Sequence, residues 1–137
     1  MSDAVLIEVA DGVVDLRLNR PDKRNAVDGD IIEGLLDAQR RLAADPSVRC
    51  VVLSGVGKGF CAGLDMANFG DMVSGDLSAD SAASAYDDTD EAGANHVQRL
   101  GWGWRTLPVP VIAAVHGAAL GGGLNIALGA DIRVVAP

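Results

Sequence analysis

"HGAALGGGLNIALGAD", residues 116–131, sets three consecutive glycines between an apolar run and a segment of helical character. Glycines at the mouth of a helix mean either a slack turn or a backbone that must come very close to something. The neighbours help decide. "VPVIAAVHG", residues 109–117, reads as an apolar strand, and "DIRVVA", residues 131–136, as another. The triple glycine therefore lies between a strand and a short apolar helix, roughly Gly122 to Leu128. The same order occurs earlier. "RCVVLSG", residues 49–55, reads as a buried strand and runs into the glycine-rich loop "VGKGFCAGLD", residues 56–65. Strand, glycine loop and helical segment, used twice, predict an α/β layer fold with short crossovers.

The rest of the chain fits that plan. "VLIEVADGVVDLRLN", residues 5–19, alternates as two short strands around the turn Asp11–Gly12. "RPDKRNA" is a polar loop. Ile31, Leu35, Ala38 and Leu42 recur at helical spacing, which predicts a helix from Asp28 to Ala44, stopped by Asp45–Pro46. Residues 70–90 are small, acidic and weakly periodic, and read as an exposed, partly mobile excursion. A second helix is expected from Glu91 to Thr106. The whole of 1–137 reads as one domain core.

Charge is unevenly placed. Residues 59–98 hold eight acids and no Lys or Arg, while the remaining eleven acids match eleven bases. The net −8 therefore sits in one segment, and no basic stripe exists for nucleic acid. Cys50 and Cys61 make no disulfide framework, no metal-ligand spacing appears, and no signal peptide or membrane span is evident. A reduced, cytoplasmic setting is expected.

Neither glycine loop is a nucleotide fingerprint. "GVGKGF" has Phe60 where a dinucleotide loop needs its third glycine, and Lys58 is followed by Gly59, not the Ser or Thr of a P-loop. One such loop alone reads as a tight turn. Two of them, each after a strand, can meet at the C-terminal edge of one sheet, where open α/β sheets bind ligands. At "ALGGGLN" the first N–H groups of the helix lack intrahelical partners, and the dipole places about half a positive charge there. That suits an oxygen that becomes negative. A second N–H from the other loop would complete an oxyanion hole, where one donor is worth roughly 3–4 kcal/mol of transition-state stabilisation.

"LNRPDKRNAV", "GKGFCAGLDM" and "PVIAAVHGAALGGGLNIALGADIRV" resemble, in order and spacing, three blocks of the crotonase superfamily, the enoyl-CoA hydratase/isomerase family. The resemblance implies a crotonase-like spiral of β-β-α units and an acyl-CoA thioester held as its enolate. It implies that the two oxyanion donors are the backbone N–H groups of Leu64 and Gly122. It assigns CoA recognition to Lys23, Arg24 and Ala26 with the neighbouring Asn25, to Ala62, Leu64, Asp65, Met66 and Ala67, and to Gly122. Coenzyme A would be part of the substrate, with no tightly bound cofactor. A homotrimer or homohexamer is implied for the full-length form. The chain itself would be the N-terminal part of a longer protein, ending before the C-terminal helical region.

Asn125 stands where the hydratases of the family carry a catalytic glutamate. An amide can hold a water but cannot take its proton at neutral pH. A second acid would lie beyond Pro137. Three readings follow: an enoyl-CoA hydratase, an acyl-CoA double-bond isomerase, or a non-catalytic acyl-CoA binder. Cys61 reads as a small buried residue and not a nucleophile. His116 reads as structural, His96 as surface, Asp65 and Asp131 as anchors, and Trp102 and Trp104 as packing residues.

Overall fold

A computed structural model of the chain describes residues 3–67 and 89–136. Among these, five strands form one sheet in chain order: β1 (Val5–Ala10), β2 (Val13–Leu18), β3 (Cys50–Gly55), β4 (Val111–Val115) and β5 (Ile132–Val135). β1 and β2 are antiparallel, and every later pairing is parallel. The hairpin is tight because Asp11 and Gly12 both take positive φ, at 51° and 79°. A two-residue primed turn requires that, and it matches the strand twist.

Alternation along β2 is clean. Val14, Leu16 and Leu18 are buried and face Val51 and Leu53 of β3, then Val111, Ala113 and Val115 of β4. β1 is an edge strand and alternates less sharply, with Val9 exposed. α1 (Gly29–Ala44) crosses from β2 to β3 and buries Ile31, Leu35, Ala38 and Leu42. Fully burying one such leucine contributes about 1.5–3 kcal/mol. Its N-cap is Asp28, whose Oδ1 accepts the Ile31 N–H at 3.0 Å.

The expected helix from Glu91 to Thr106 is shorter: α2 spans Arg99–Arg105. The preceding residues close on themselves. Asp90 Oδ1 accepts the Ala92 and Ala94 N–H groups, and Gly93 takes a positive φ of 79°. Asn95 and Gln98 then form a reciprocal capping box, each side chain accepting the other's backbone N–H. Local side-chain bonds thus outcompete helix until that box is complete. The expected excursion over residues 70–90 lies outside the described residues except for Thr89 and Asp90.

α3 (Gly122–Gly129) connects β4 to β5 and crosses α2 backbone to backbone. A Cβ at Gly129 would lie 2.1 Å from the Gly101 carbonyl oxygen, and one at Gly101 would lie 2.6 Å from that of Asn125. All four residues of β5 are exposed.

Candidate functional site

β3 and β4 are parallel neighbours, so the loops that follow them leave the same edge of the sheet. They then run side by side. Phe60 N–H donates to the His116 carbonyl, Cys61 N–H to the Ala118 carbonyl, and Leu120 N–H to the Cys61 carbonyl, at 2.8, 2.9 and 3.0 Å. His116 Nε2 adds a bond to the Gly57 carbonyl at 2.8 Å, as expected of a structural histidine. The two glycine loops are one connected structure.

The three glycines have three different reasons. Gly121 takes φ +50°, a region costly to residues with a Cβ. Gly123 packs so closely that a Cβ would sit 2.6 Å from both Cys61 Cβ and the Cys61 carbonyl oxygen. Gly122 has room: a Cβ there would meet only Val27 Cγ2, at 3.7 Å. Across from them, Gly63 has φ +89°, and its Cβ would lie 2.7 Å from the Leu120 oxygen.

Val27 and Leu64 form an isolated parallel β-bridge. Val27 N–H donates to the Gly63 carbonyl at 2.6 Å, and Asp65 N–H donates to the Val27 carbonyl at 2.9 Å. That pattern uses the groups on either side of Leu64 and turns the Leu64 N–H away from Val27. Among the described residues the Leu64 N–H has no hydrogen-bond partner, and neither has that of Gly122, the first residue of α3.

Arg20 and Asn25 hold this edge together. Arg20 Nη1 donates to the Ala26 carbonyl at 2.8 Å and pairs with Asp28 and Asp65 carboxylates at 3.0 and 3.2 Å. Asn25 is fully buried with φ +55°. Its Nδ2 donates to the carbonyls of Val56, Gly59 and Phe60, and its Oδ1 accepts the Arg20 N–H. The backbone N–H of Ala67, foremost, and the Arg20 guanidinium hold the Asp65 carboxyl below its ordinary range, against the opposing cost of burial. Neither role was visible from sequence. The Arg20–Asp65 pair spans 45 residues, and the only local hint for Asn25 is that asparagine tolerates left-handed backbone.

The other expected site residues are spread around this edge. Lys23 and Arg24 are exposed and form no ion pair among the described residues. Ala26 is buried and engaged through both backbone groups, and Ala62 donates to the Arg24 carbonyl at 2.9 Å. Leu64 and Met66 expose their side chains, as does Ala67. Asn125 is exposed and lines a cleft of about 480 Å³ between α2 and α3, with Gln98, Trp102, Arg105 and Leu128. Trp104 is fully buried whereas Trp102 is half exposed, so only the former is a core residue. Cys61 is fully buried, its Sγ donates to the Asn25 carbonyl, and burial pushes its thiol up, which leaves it unreactive. Asp131 anchors the start of β5, accepting from Arg105 and from the Val111 N–H. His96 is half-buried, not fully on the surface, and lines a larger cavity of about 570 Å³ beside α1, away from the glycine loops. Among the described residues no group of His, Cys, Asp or Glu could hold a metal ion, and no helix is long and apolar enough to cross a membrane.

Among the described residues, two glycine loops at one edge of an α/β sheet thus present backbone N–H groups without partners, an arrangement able to receive hydrogen-bond acceptors. Comparison with known proteins gives the family. The model for "Enoyl-CoA hydratase/isomerase" matches residues 8–137. The chain belongs to that family, within the crotonase superfamily. It is 40% identical over 135 residues to "Probable enoyl-CoA hydratase echA14" of Mycobacterium tuberculosis, covering 98% of this chain and 48% of that protein. It is 34% identical over 139 residues to the "1,2-epoxyphenylacetyl-CoA isomerase" of Escherichia coli, covering 99% and 48%. The crystal structure of an enoyl-CoA hydratase from Shewanella pealeana superposes with a TM-score of 0.82 at 26% identity, over 96% of this chain and 46% of that one. The chain spans about half the length of the curated relatives it matches.

Proposed function

We propose that this chain supplies the acyl-CoA-binding and oxyanion-hole part of an enzyme that stabilises a thioester enolate. The observation that carries the reading is the pair of N–H groups, Leu64 and Gly122, that lack partners among the described residues and lie on loops bonded to each other. Two neutral donors and a helix dipole stabilise an enolate oxygen more than a ground-state carbonyl, because charge grows on that oxygen as the α-proton leaves. Lys23 and Arg24, exposed and free of ion pairs among the described residues, face the CoA phosphates, and the loop surfaces around Ala26 and around residues 62–67, whose carbonyl oxygens can each accept a second bond, receive the rest of the CoA moiety. Coenzyme A arrives with the substrate, and no other cofactor takes part. The assembled protein is a homotrimer or homohexamer working in the cytoplasm.

The reaction assigned first is hydration of an enoyl-CoA, the activity named for the mycobacterial relative. Asn125 favours a second reading. Without a carboxylate at that position, isomerisation driven by an acid from elsewhere in the protein becomes the competing assignment, in line with the isomerase among the relatives. The test is calorimetric titration of the chain with butyryl-CoA, with free CoA, and with the butyl thioether of CoA, which lacks the carbonyl. Tighter binding of the thioester than of the thioether supports the oxyanion reading; equal affinities overturn it.

A further inference from the structure

One side-chain nitrogen touches both flanks of the bridge that aims Leu64. Arg20 Nη1 binds the Ala26 carbonyl and the Asp28 carboxylate, the residues before and after Val27, and the carboxylate of Asp65, the residue after Leu64. The bridge itself has only two hydrogen bonds, Val27 to Gly63 and Asp65 to Val27. It is an isolated pairing outside the sheet, so nothing in a β-ladder holds its register. Asp28 is also the N-cap of α1, which ties the bridge to a helix anchored in the core by Ile31, Leu35, Ala38 and Leu42. The side chains of Arg20, Asp28 and Asp65 are only 20%, 20% and 11% exposed, so water screens these pairs less than surface pairs.

We propose that Arg20 is a positioning residue for one half of the oxyanion hole: by clamping Ala26, Asp28 and Asp65 around the Val27–Leu64 bridge it sets the direction of the Leu64 N–H. It does not touch the acyl-CoA. The other donor, Gly122, is held by α3 and by its neighbour's contact with Cys61. Arg20 therefore acts on one donor and not on the other. This inference rests on Leu64 and Gly122 being the donors, and its test separates the two claims.

Amide NMR of the isotope-labelled, deuterated chain reads the two donors separately. Saturating it with butyryl-CoA moves both the Leu64 and the Gly122 amide protons downfield as each bonds to the thioester oxygen. In Arg20→Gln the Leu64 displacement is lost while that of Gly122 persists. A general loosening of the fold would diminish both. Arg20→Lys keeps the positive charge between the two carboxylates and serves where the glutamine variant does not give a dispersed spectrum; it too loses displacement at Leu64 before Gly122. A folded variant with a native Leu64 displacement, or with equal losses at both amides, overturns the positioning role. If neither amide moves in the unaltered chain, the donor assignment itself fails, and the role of Arg20 falls with it.

Discussion

Val27 pairs with Leu64 through its own two backbone groups, and so leaves the backbone N–H of Leu64 directed elsewhere. Ten residues of glycine-rich loop could direct that N–H almost anywhere; a single bridge to a buried valine removes the freedom. Preorganisation of this kind is what makes a hydrogen-bond donor useful at a developing charge, since none of its orientation has to be found during the reaction.

Gly122 tests the donor on the other side. It is the first residue of α3, and a Cβ there meets only Val27 at an ordinary contact distance. Proline is tolerated at a first helical position, where its missing N–H breaks no helical bond. Gly122→Pro should therefore fold, with a melting temperature close to that of the parent, and in the full-length protein lower enolate-dependent turnover by about 10²–10³. Gly122→Ala retains the N–H and should stay within about threefold of the parent, a shift well under 1 kcal/mol. Steady-state kinetics of both variants, with thermal melts alongside, checks this. Normal turnover in a folded proline variant would remove Gly122 from the site.

Asn25 should behave as a structural keystone. Its buried Nδ2 serves three carbonyls of the first glycine loop. Asn25→Ala strands those acceptors and should cost about 1–3 kcal/mol in urea unfolding. Asn25→Asp is more informative. A carboxylate facing three carbonyl oxygens in a buried site favours its protonated form, so its folded pKa lies above its unfolded one. Stability is then greatest below the unfolded pKa and falls as pH rises through the folded one. The aspartate variant should be less stable at pH 7 than at pH 4, relative to the parent at each pH. A destabilisation independent of pH would show that the three carbonyls do not face this group.

Asp65 has the opposite sign. Ala67 N–H and Arg20 favour its charged form, so its folded pKa is depressed. Its contribution is present above the unfolded value and disappears as pH falls through the folded value, that is, below about pH 4. Asp65→Asn should destabilise the chain at pH 7 and unfold with a shallower acid limb. Parallel acid limbs in the two proteins would mean that neither the Ala67 N–H nor Arg20 favours the charged form of Asp65.

Much of this was legible in the sequence, and the exceptions share a cause. β2, β3, β4 and α1 were readable because burial imposes a period. The meeting of the two glycine loops followed from strand order. The start of α2 was missed because periodicity carries no signal from Asn95 and Gln98, whose mutual bonds set the boundary; the spacing Asn-x-x-Gln could have shown it. The triple glycine looked like one feature and proved to be three: a positive φ at Gly121, a clear approach at Gly122, and a packing limit at Gly123. Arg20 was unreadable because its partners lie up to 45 residues away. Only a fold brings them to one nitrogen.

Position 125 offers a test of binding apart from proton transfer. It follows Gly122 by three residues on α3, so the two lie one turn apart on neighbouring faces, and its side chain is exposed. An amide there adds no charge and no base. The chain should therefore bind butyryl-CoA, yet exchange the α-protons of that bound thioester with D2O slowly. Exchange needs only an oxyanion hole and one base, so it does not depend on a second acid. Asn125→Glu supplies a base at that position and should speed α-proton exchange by about 10²–10⁴, the usual worth of positioned general-base catalysis, with affinity changed only a few-fold. Exchange followed by mass spectrometry, together with calorimetry on both forms, reads the two effects separately. Fast exchange by the unaltered chain would show that another residue already acts as the base. A glutamate variant that binds but exchanges no faster would show that position 125 does not face the α-carbon.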